Sequence, residues 1–292
     1  MSLWQHIEQA LTEVLGETVR LESPDSVGGG CINQTYRVRS GSRSYFVKVN
    51  DASGLAMFEA ESAGLEELGR AADLCIPTPY CHGTAEGHAY LVMEDLQLGG
   101  SGSQAALGEG LAAQHRINAE RFGWQRDNTI GATPQINTWT DDWLAFWREH
   151  RLGYQLKLAV RRGAGARTQE VGDQLLEALP ALLDGHDPEA SLLHGDLWSG
   201  NYAFTRQGEP AIFDPAVYYG DRETDLAMTE LFGGFGRDFY AAYRNAWPLD
   251  TGYPLRKTLY NLYHILNHYN LFGGGYLSQA QGMMRSLLSE VR

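Results

Sequence analysis

Thiols are scarce in this sequence: three cysteines, Cys31, Cys75 and Cys81, in 292 residues. They form no C-x-x-C pair and leave an odd thiol, which argues against a disulfide framework. Positive charge is also short. Lys and Arg number 23 against 36 Asp and Glu, a net charge of −13, the wrong sign for gripping a nucleic-acid backbone. No apolar run is long enough to span a membrane, and Met1 to Gly16 alternates apolar and polar groups without a basic leader. The expectation is a cytoplasmic protein that binds neither nucleic acid nor membrane. Internal repeats are lacking too. What is present is ordinary for a globular chain, 43% hydrophobic and 20% charged. The length suits two modest domains or two lobes around one cleft.

The sequence is organised around Leu192-Leu193-His194-Gly195-Asp196-Leu197-Trp198-Ser199-Gly200-Asn201, followed by Ala211-Ile212-Phe213-Asp214. An apolar pair leads into a polar loop with one carboxylate and, five residues on, one carboxamide. A turn and a short apolar run then deliver a second carboxylate. Phosphoryl transfer needs these parts in this order: an acid for the proton of the attacking hydroxyl, then an amide and an acid that hold magnesium against ATP. His194, Asp196, Leu197 and Asn201 match the H-x-D-L-x-x-x-N pattern of protein kinases. Asp214 stands at the kinase metal-binding aspartate, with Pro215-Ala216 in place of Phe-Gly. Asp196 is thus the candidate catalytic residue, and Asn201 and Asp214 are the candidate metal ligands.

Leu3, Ile7, Leu11 and Leu15 recur every four residues and predict an amphipathic helix packed on a core. Val19 to Val27 and Cys31 to Arg39 read as strands flanking Gly28-Gly29-Gly30. That run is either a hairpin turn or a loop whose N–H groups reach phosphates. Lys48 interrupts the apolar strand Tyr45-Phe46-Val47-Lys48-Val49, the place of the kinase lysine that contacts ATP. Phe58 to Leu68 predicts a helix. Among its glutamates Glu61 precedes Leu65 by four and Leu68 by seven, so it shares the apolar face and is the candidate partner of Lys48. A hairpin turning at Glu86-Gly87 follows, and Glu94-Asp95-Leu96 leaves it where a kinase chain lends adenine its backbone groups. Gly28, Gly29, Gly30, Lys48, Glu61, Glu94 and Leu96 are therefore the candidate ATP-binding residues. Cys31, directly after the glycines, is a packed strand residue or a redox-sensitive thiol.

Leu98 to Ser103 reads as a hinge. Gln104 to Arg121 predicts a helix carrying a structural histidine, His115. Residues 127–140 read as a long polar loop beside the acceptor. Asp142 to Val160 predicts an aromatic core helix, and Val171 to Leu183 a further helix. Asp225 reads as a cap or buried hydrogen-bond acceptor. The fold class that follows is α+β, a small sheet-rich lobe (1–96) before a mostly helical lobe (97–292). The nucleotide lies between them.

Taken together, these residues resemble the fructosamine kinase (ketosamine kinase) family, relatives of the aminoglycoside and choline kinases with a bilobal protein-kinase-like fold. The resemblance rests on His194–Asn201 and on Phe213-Asp214-Pro215-Ala216-Val217-Tyr218-Tyr219-Gly220-Asp221-Arg222-Glu223. Asp127-Asn128-Thr129-Ile130-Gly131, Trp139-Thr140-Asp141-Asp142-Trp143 and Leu231-Phe232-Gly233-Gly234-Phe235 extend it. It implies ATP- and Mg2+-dependent phosphorylation of a ketosamine, the sugar adduct of a small amine or a lysine, at its third-carbon hydroxyl. The product falls apart and frees the amine, a deglycation repair. Gly195 in place of the kinase arginine, and no Ala-Pro-Glu triplet after Asp214, favour a small acceptor over a folded protein. A kinase of an aminoglycoside, choline or homoserine, and a nucleotide-binding redox-sensing pseudokinase, are the alternatives. A monomer and a homodimer are both compatible with the sequence.

Overall fold

A computed structural model describes residues 1–28, 33–71 and 73–291. The chain forms two units: Met1–Ser103 with Tyr202–Pro215, and Gln104–Asn201 with Ala216–Arg292.

The first unit begins with α1 (Leu3–Leu15). Ser2 caps it in a reciprocal box with Gln5, and left-handed Gly16 ends it. Its period-four stripe buries Ile7 and Leu11 against Val38, Tyr45, Val47, Val49 and Val92, so the face is core. The strands are β1 (Asp25–Val27), β2 (Gln34–Ser40), β3 (Arg43–Asp51), β4 (Pro79–Ala85) and β5 (His88–Glu94). They make one antiparallel sheet in the order β1-β2-β3-β5-β4. Glu86 and Gly87 both take positive φ between β4 and β5, as a tight two-residue hairpin turn requires. The strand expected from Val19 shrinks to Asp25–Val27 because α1 already satisfies the preceding backbone. Val19 N–H donates to Thr12 Oγ1 (3.1 Å) and Leu21 N–H to Glu8 Oε2 (2.8 Å).

Side chains alternate across a strand. Tyr45, Val47 and Val49 of β3 face the α1 side. Phe46 packs on the opposite face, where α2 (Leu55–Leu68) sets Phe58 and Leu65 against Ala89, Leu91 and Met93 of β5. Lys48, with the parity of Phe46, faces α2.

The hairpin Tyr202–Phe204/Pro210–Ile212 belongs to this unit. Cys75 bridges to Ala211, and the N–H groups of Gly99 and Gly100 both donate to Phe204 O (3.1 and 3.2 Å). A Cβ on Gly100 would sit 2.0 Å from Thr205 O, and one on Gly102 2.2 Å from Gly208 O. The glycines of the segment expected as a hinge serve close backbone approach. The unit therefore extends to Ser103 and takes back residues 202–215, where the sequence reading divided the chain at 96/97.

In the second unit, a helix at Gln104–His115 stops short of the expected Arg121 because Asn118–Ala119 pairs with the strand Ala190–Leu193. Tyr218–Gly220 completes a three-stranded antiparallel sheet. Residues 128–135 form a β-hairpin where a polar loop was expected. The aromatic helix runs from Trp143 to Arg161 with a π-helical turn at Trp147–Leu152. The helix after it starts at Ala166, earlier than expected, and ends at Leu182. The long helix Tyr253–Phe272 fills the core, burying Leu259, Tyr260, Leu262, Tyr263, Ile265 and Leu266. No helix among the described residues is long and apolar enough to cross a membrane.

Candidate functional site

Lys48 is 4% exposed. An ammonium shut away from water needs anions at hand, and Lys48 has two. Its Nζ lies 2.5 Å from Glu61 Oε1 and 2.5 Å from Asp214 Oδ1. Of the glutamates on α2, it is Glu61 that β3 parity and helical spacing bring to the lysine. Burial works to lower the Lys48 pKa, but the charges of Asp214 and Glu61 carry it above the ordinary lysine value. Lys48 is thus a fixed cation at any physiological pH. Burial pushes the Glu61 carboxyl up while Lys48 pulls against it.

Asp214 follows the hairpin Tyr202–Ile212 and holds φ at +58°. A non-glycine residue in this left-handed region is uncommon, and such strain gathers at ligand-holding positions. The Asp214 side chain is 47% exposed, so one face of its carboxylate meets Lys48 and another meets solvent.

At the end of β5, Glu94 N–H donates to Thr78 O (2.8 Å), and its carboxylate accepts from Thr78 N–H (3.3 Å). Asp95 takes a paired bond from Arg37 (2.7 and 3.2 Å) and one from Ser44 (2.7 Å). Against burial, these donors hold its carboxyl below the usual carboxylate range. Half-buried Leu96 follows. Gly28 directly follows β1, with open space where a Cβ would stand. Gly29, Gly30 and Cys31 lie outside the described residues. Cys75 and Cys81 are unpaired in disulfides, and burial pushes the Cys81 thiol up to about 12.

The second unit carries the other candidates. The strand Ala190–Leu193 runs into His194–Asn201. Asp225, 1% exposed, accepts from the N–H of His194 (2.7 Å) and of Gly195 (2.8 Å). Burial works against its charge, yet His115 and these donors hold Asp225 below the usual carboxylate range. His115 is fully buried between Asp225 (3.1 Å) and Tyr243 Oη (2.8 Å), so it supports this clamp. Gly195 takes φ +83°, and a Cβ there would fall 2.0 Å from Ala216 O. Ala216 N–H in turn donates to His194 O (2.8 Å). An arginine has no room at this position.

Leu197 is fully buried and pins the loop. Asn201 Nδ2 donates to Asp196 O (2.9 Å) and approaches Asp196 Oδ2 (3.4 Å). The amide nitrogen is turned into the loop. Asn201 and Asp214 each offer hard oxygen, the donor type magnesium takes, and their chemistry fits that ion.

Sequence reasoning missed a buried amide and guanidinium network behind this loop. Asn128 Nδ2 donates to Val217 O (2.8 Å) and Gln135 Nε2 to Ala216 O (3.0 Å). Arg151, fully buried, donates to Ile136 O (2.6 Å) and Asn137 Oδ1 (2.7 Å) and stacks 4.0 Å from the centre of the Tyr218 ring. Tyr263 Oη donates to Gln135 Oε1 (2.7 Å). The signal was the cluster of amides in Asn128, Gln135 and Asn137, which a polar loop would leave in water.

The family model described as fructosamine kinase matches residues 3–290. A Synechocystis protein that carries the name of a ketoamine kinase is 50% identical over 98% of this chain and 97% of its own. The chloroplastic protein-ribulosamine 3-kinase of Arabidopsis thaliana is 45% identical over 96% of this chain and 86% of its own. Among solved structures, a Haemophilus somnus protein named as a fructosamine-3-kinase superposes with TM-score 0.88 and 30% identity over 98% and 97% of the two chains. A choline kinase from Streptococcus pneumoniae, at 16% identity and TM-score 0.63 over 96% and 99% of the two chains, shares the fold alone. The expected α+β protein-kinase-like fold is thereby established.

Asp225→Ala would leave two buried N–H donors and His115 without their anion. Breaking a buried pair from one side costs about 3–5 kcal/mol, and we expect a loss of that size in urea unfolding, with turnover falling in parallel. A stability within about 1 kcal/mol of the parent would show that this carboxylate does not hold the loop.

Proposed function

The chain belongs to the fructosamine kinase family, and from that premise we propose that it phosphorylates ketosamines at the third-carbon hydroxyl with ATP. It is an ATP-dependent phosphotransferase with an alcohol acceptor, acting in deglycation. The observation that carries phosphoryl transfer is the buried Lys48 with Glu61 and Asp214 on its ammonium, both at 2.5 Å. The acceptor class follows from family membership and from relatives named for ketoamine and ribulosamine substrates.

In this reading Asp196 accepts the proton of the acceptor hydroxyl as its oxygen bonds to the γ-phosphorus. The bond from that phosphorus to the bridging oxygen of ADP breaks. Lys48 meets the ATP phosphates, and Glu61 orients Lys48. Gly28, with Gly29 and Gly30, supplies backbone N–H groups to the phosphates. Glu94 and Leu96 offer their backbone to adenine. Asn201 and Asp214 would hold magnesium, which when bound neutralises charge between the phosphates. Most of the rate comes from positioning and electrostatic stabilisation, since little covalent chemistry falls to the protein. Location in the cytoplasm is part of this reading.

Asp196→Asn keeps the shape of the loop and removes the base. Turnover should fall by roughly a hundred- to ten-thousand-fold, while ATP affinity measured by calorimetry stays within about threefold. Near-parental turnover would take Asp196 out of the mechanism.

The acceptor class is tested by ranking kcat/KM with coupled ADP detection. Ribulose- and fructose-modified amines should stand above choline, homoserine and kanamycin. Choline or kanamycin at the head of the ranking would overturn the assignment.

A further inference from the structure

A second cluster lies in the helical unit and takes no part in phosphoryl transfer. Its floor is the start of the helix Glu223–Thr229, with Asp221 just before it. His186 comes from the turn after the helix Ala166–Leu182, and Asp250 from the turn before the helix Tyr253–Phe272. One ligand atom from each of His186, Glu223 and Asp250 lies within 4.8 Å of the other two.

His186 is already set up as a ligand. Its Nε2 is 2.6 Å from Asp221 Oδ2, and Asp221 is buried and also accepts from Tyr260 Oη (2.5 Å). Asp221 holds the ring at Nε2, which turns Nδ1 toward Asp250. Against burial, the same carboxylate raises the His186 pKa, so an ion at Nδ1 takes the place of a proton. A carboxylate on the far ring nitrogen is how proteins orient histidine toward a metal. Nδ1 lies 3.7 Å from Asp250 Oδ2. That gap is too long for a hydrogen bond, and it fits two atoms each about 2.0–2.2 Å from one ion between them.

Arg256 also touches this cluster, donating to both Glu223 oxygens (2.6 and 2.9 Å) and to Asp250 Oδ1 (2.5 Å). A carboxylate oxygen has room for a second partner, and Asp250 Oδ2 is on the histidine side. Asp250 is exposed, and its Oδ1 also accepts from Gly252 N–H (2.8 Å).

An independent observation points to a ligand. The residues line a cavity of about 320 Å³, and Ser191 is among its walls. Ser191 is fully buried, and its hydroxyl has no hydrogen-bond partner. Buried hydroxyls are almost always bonded, so this one marks an unmet bond beside the cavity.

We propose that His186, Glu223 and Asp250 form a structural site for a divalent transition-metal ion, with zinc as the fitting class. One imidazole and two carboxylates make a borderline donor set that suits zinc over magnesium or calcium, which take all-oxygen sets. The ion would tie together three turns that are far apart in sequence.

The test is zinc chloride titrated into the full chain after chelator treatment, followed by calorimetry and by metal analysis after dialysis. One zinc per chain should bind, and the melting temperature should rise with zinc concentration. His186→Gln should weaken binding at least a hundredfold, and Asp250→Asn, at an exposed position that leaves the fold intact, at least tenfold. Magnesium chloride should not compete. No stoichiometric zinc in the parent chain, or parental zinc affinity in both variants, would overturn the site.

Discussion

A lysine ammonium closed off from water is the constraint on which the sheet-rich unit is built. Lys48 can be buried only where carboxylates meet it, and the fold delivers them from two directions. The alternation of β3 sets the lysine on the face that α2 covers, and the helical spacing that buries Phe58 and Leu65 brings Glu61 to the same face. The second carboxylate comes from the hairpin Tyr202–Ile212, laid against Cys75 and Phe204-facing glycines so closely that side chains there would collide. Removing either anion leaves the other to hold a buried charge alone.

The helical unit solves the opposite problem with a buried anion. Asp225 has given up water for two backbone N–H groups and an imidazole. Since those N–H groups belong to His194 and Gly195, the carboxylate fixes the direction in which the chain enters Asp196. Leu197 anchors the far side of the turn, and Asn201 bonds back to the Asp196 carbonyl. The loop is therefore held largely through its backbone.

Much of this was legible in the sequence, for local reasons. A lysine in an apolar strand, a glutamate on the buried stripe of the next helix and a histidine on a core face each announce themselves by periodicity alone. Asp225 read correctly as a buried acceptor, and the histidine as structural. What escaped was non-local. No local pattern says that residues 202–215 return to the first unit, because the cause is a bridge to Cys75, far back in the chain. Nor does one say that Asn128, Gln135 and Asn137 turn inward, because their partners are carbonyls at Arg126, Ala216 and Val217 and a guanidinium at Arg151. The strand expected from Val19 failed for a related reason, its backbone being claimed by side chains of α1.

Family membership and site chemistry meet at one atom, the oxygen that receives the phosphoryl group. The most direct test is to incubate the chain with ATP, magnesium and a fructose- or ribulose-modified amine labelled with carbon-13 along the sugar. Carbon–phosphorus coupling in the NMR spectrum of the product then locates the phosphate. The account predicts coupling to the third carbon, followed by release of the amine as the product decomposes. A phosphate on another carbon, or ADP formed without a phosphorylated sugar, would contradict it.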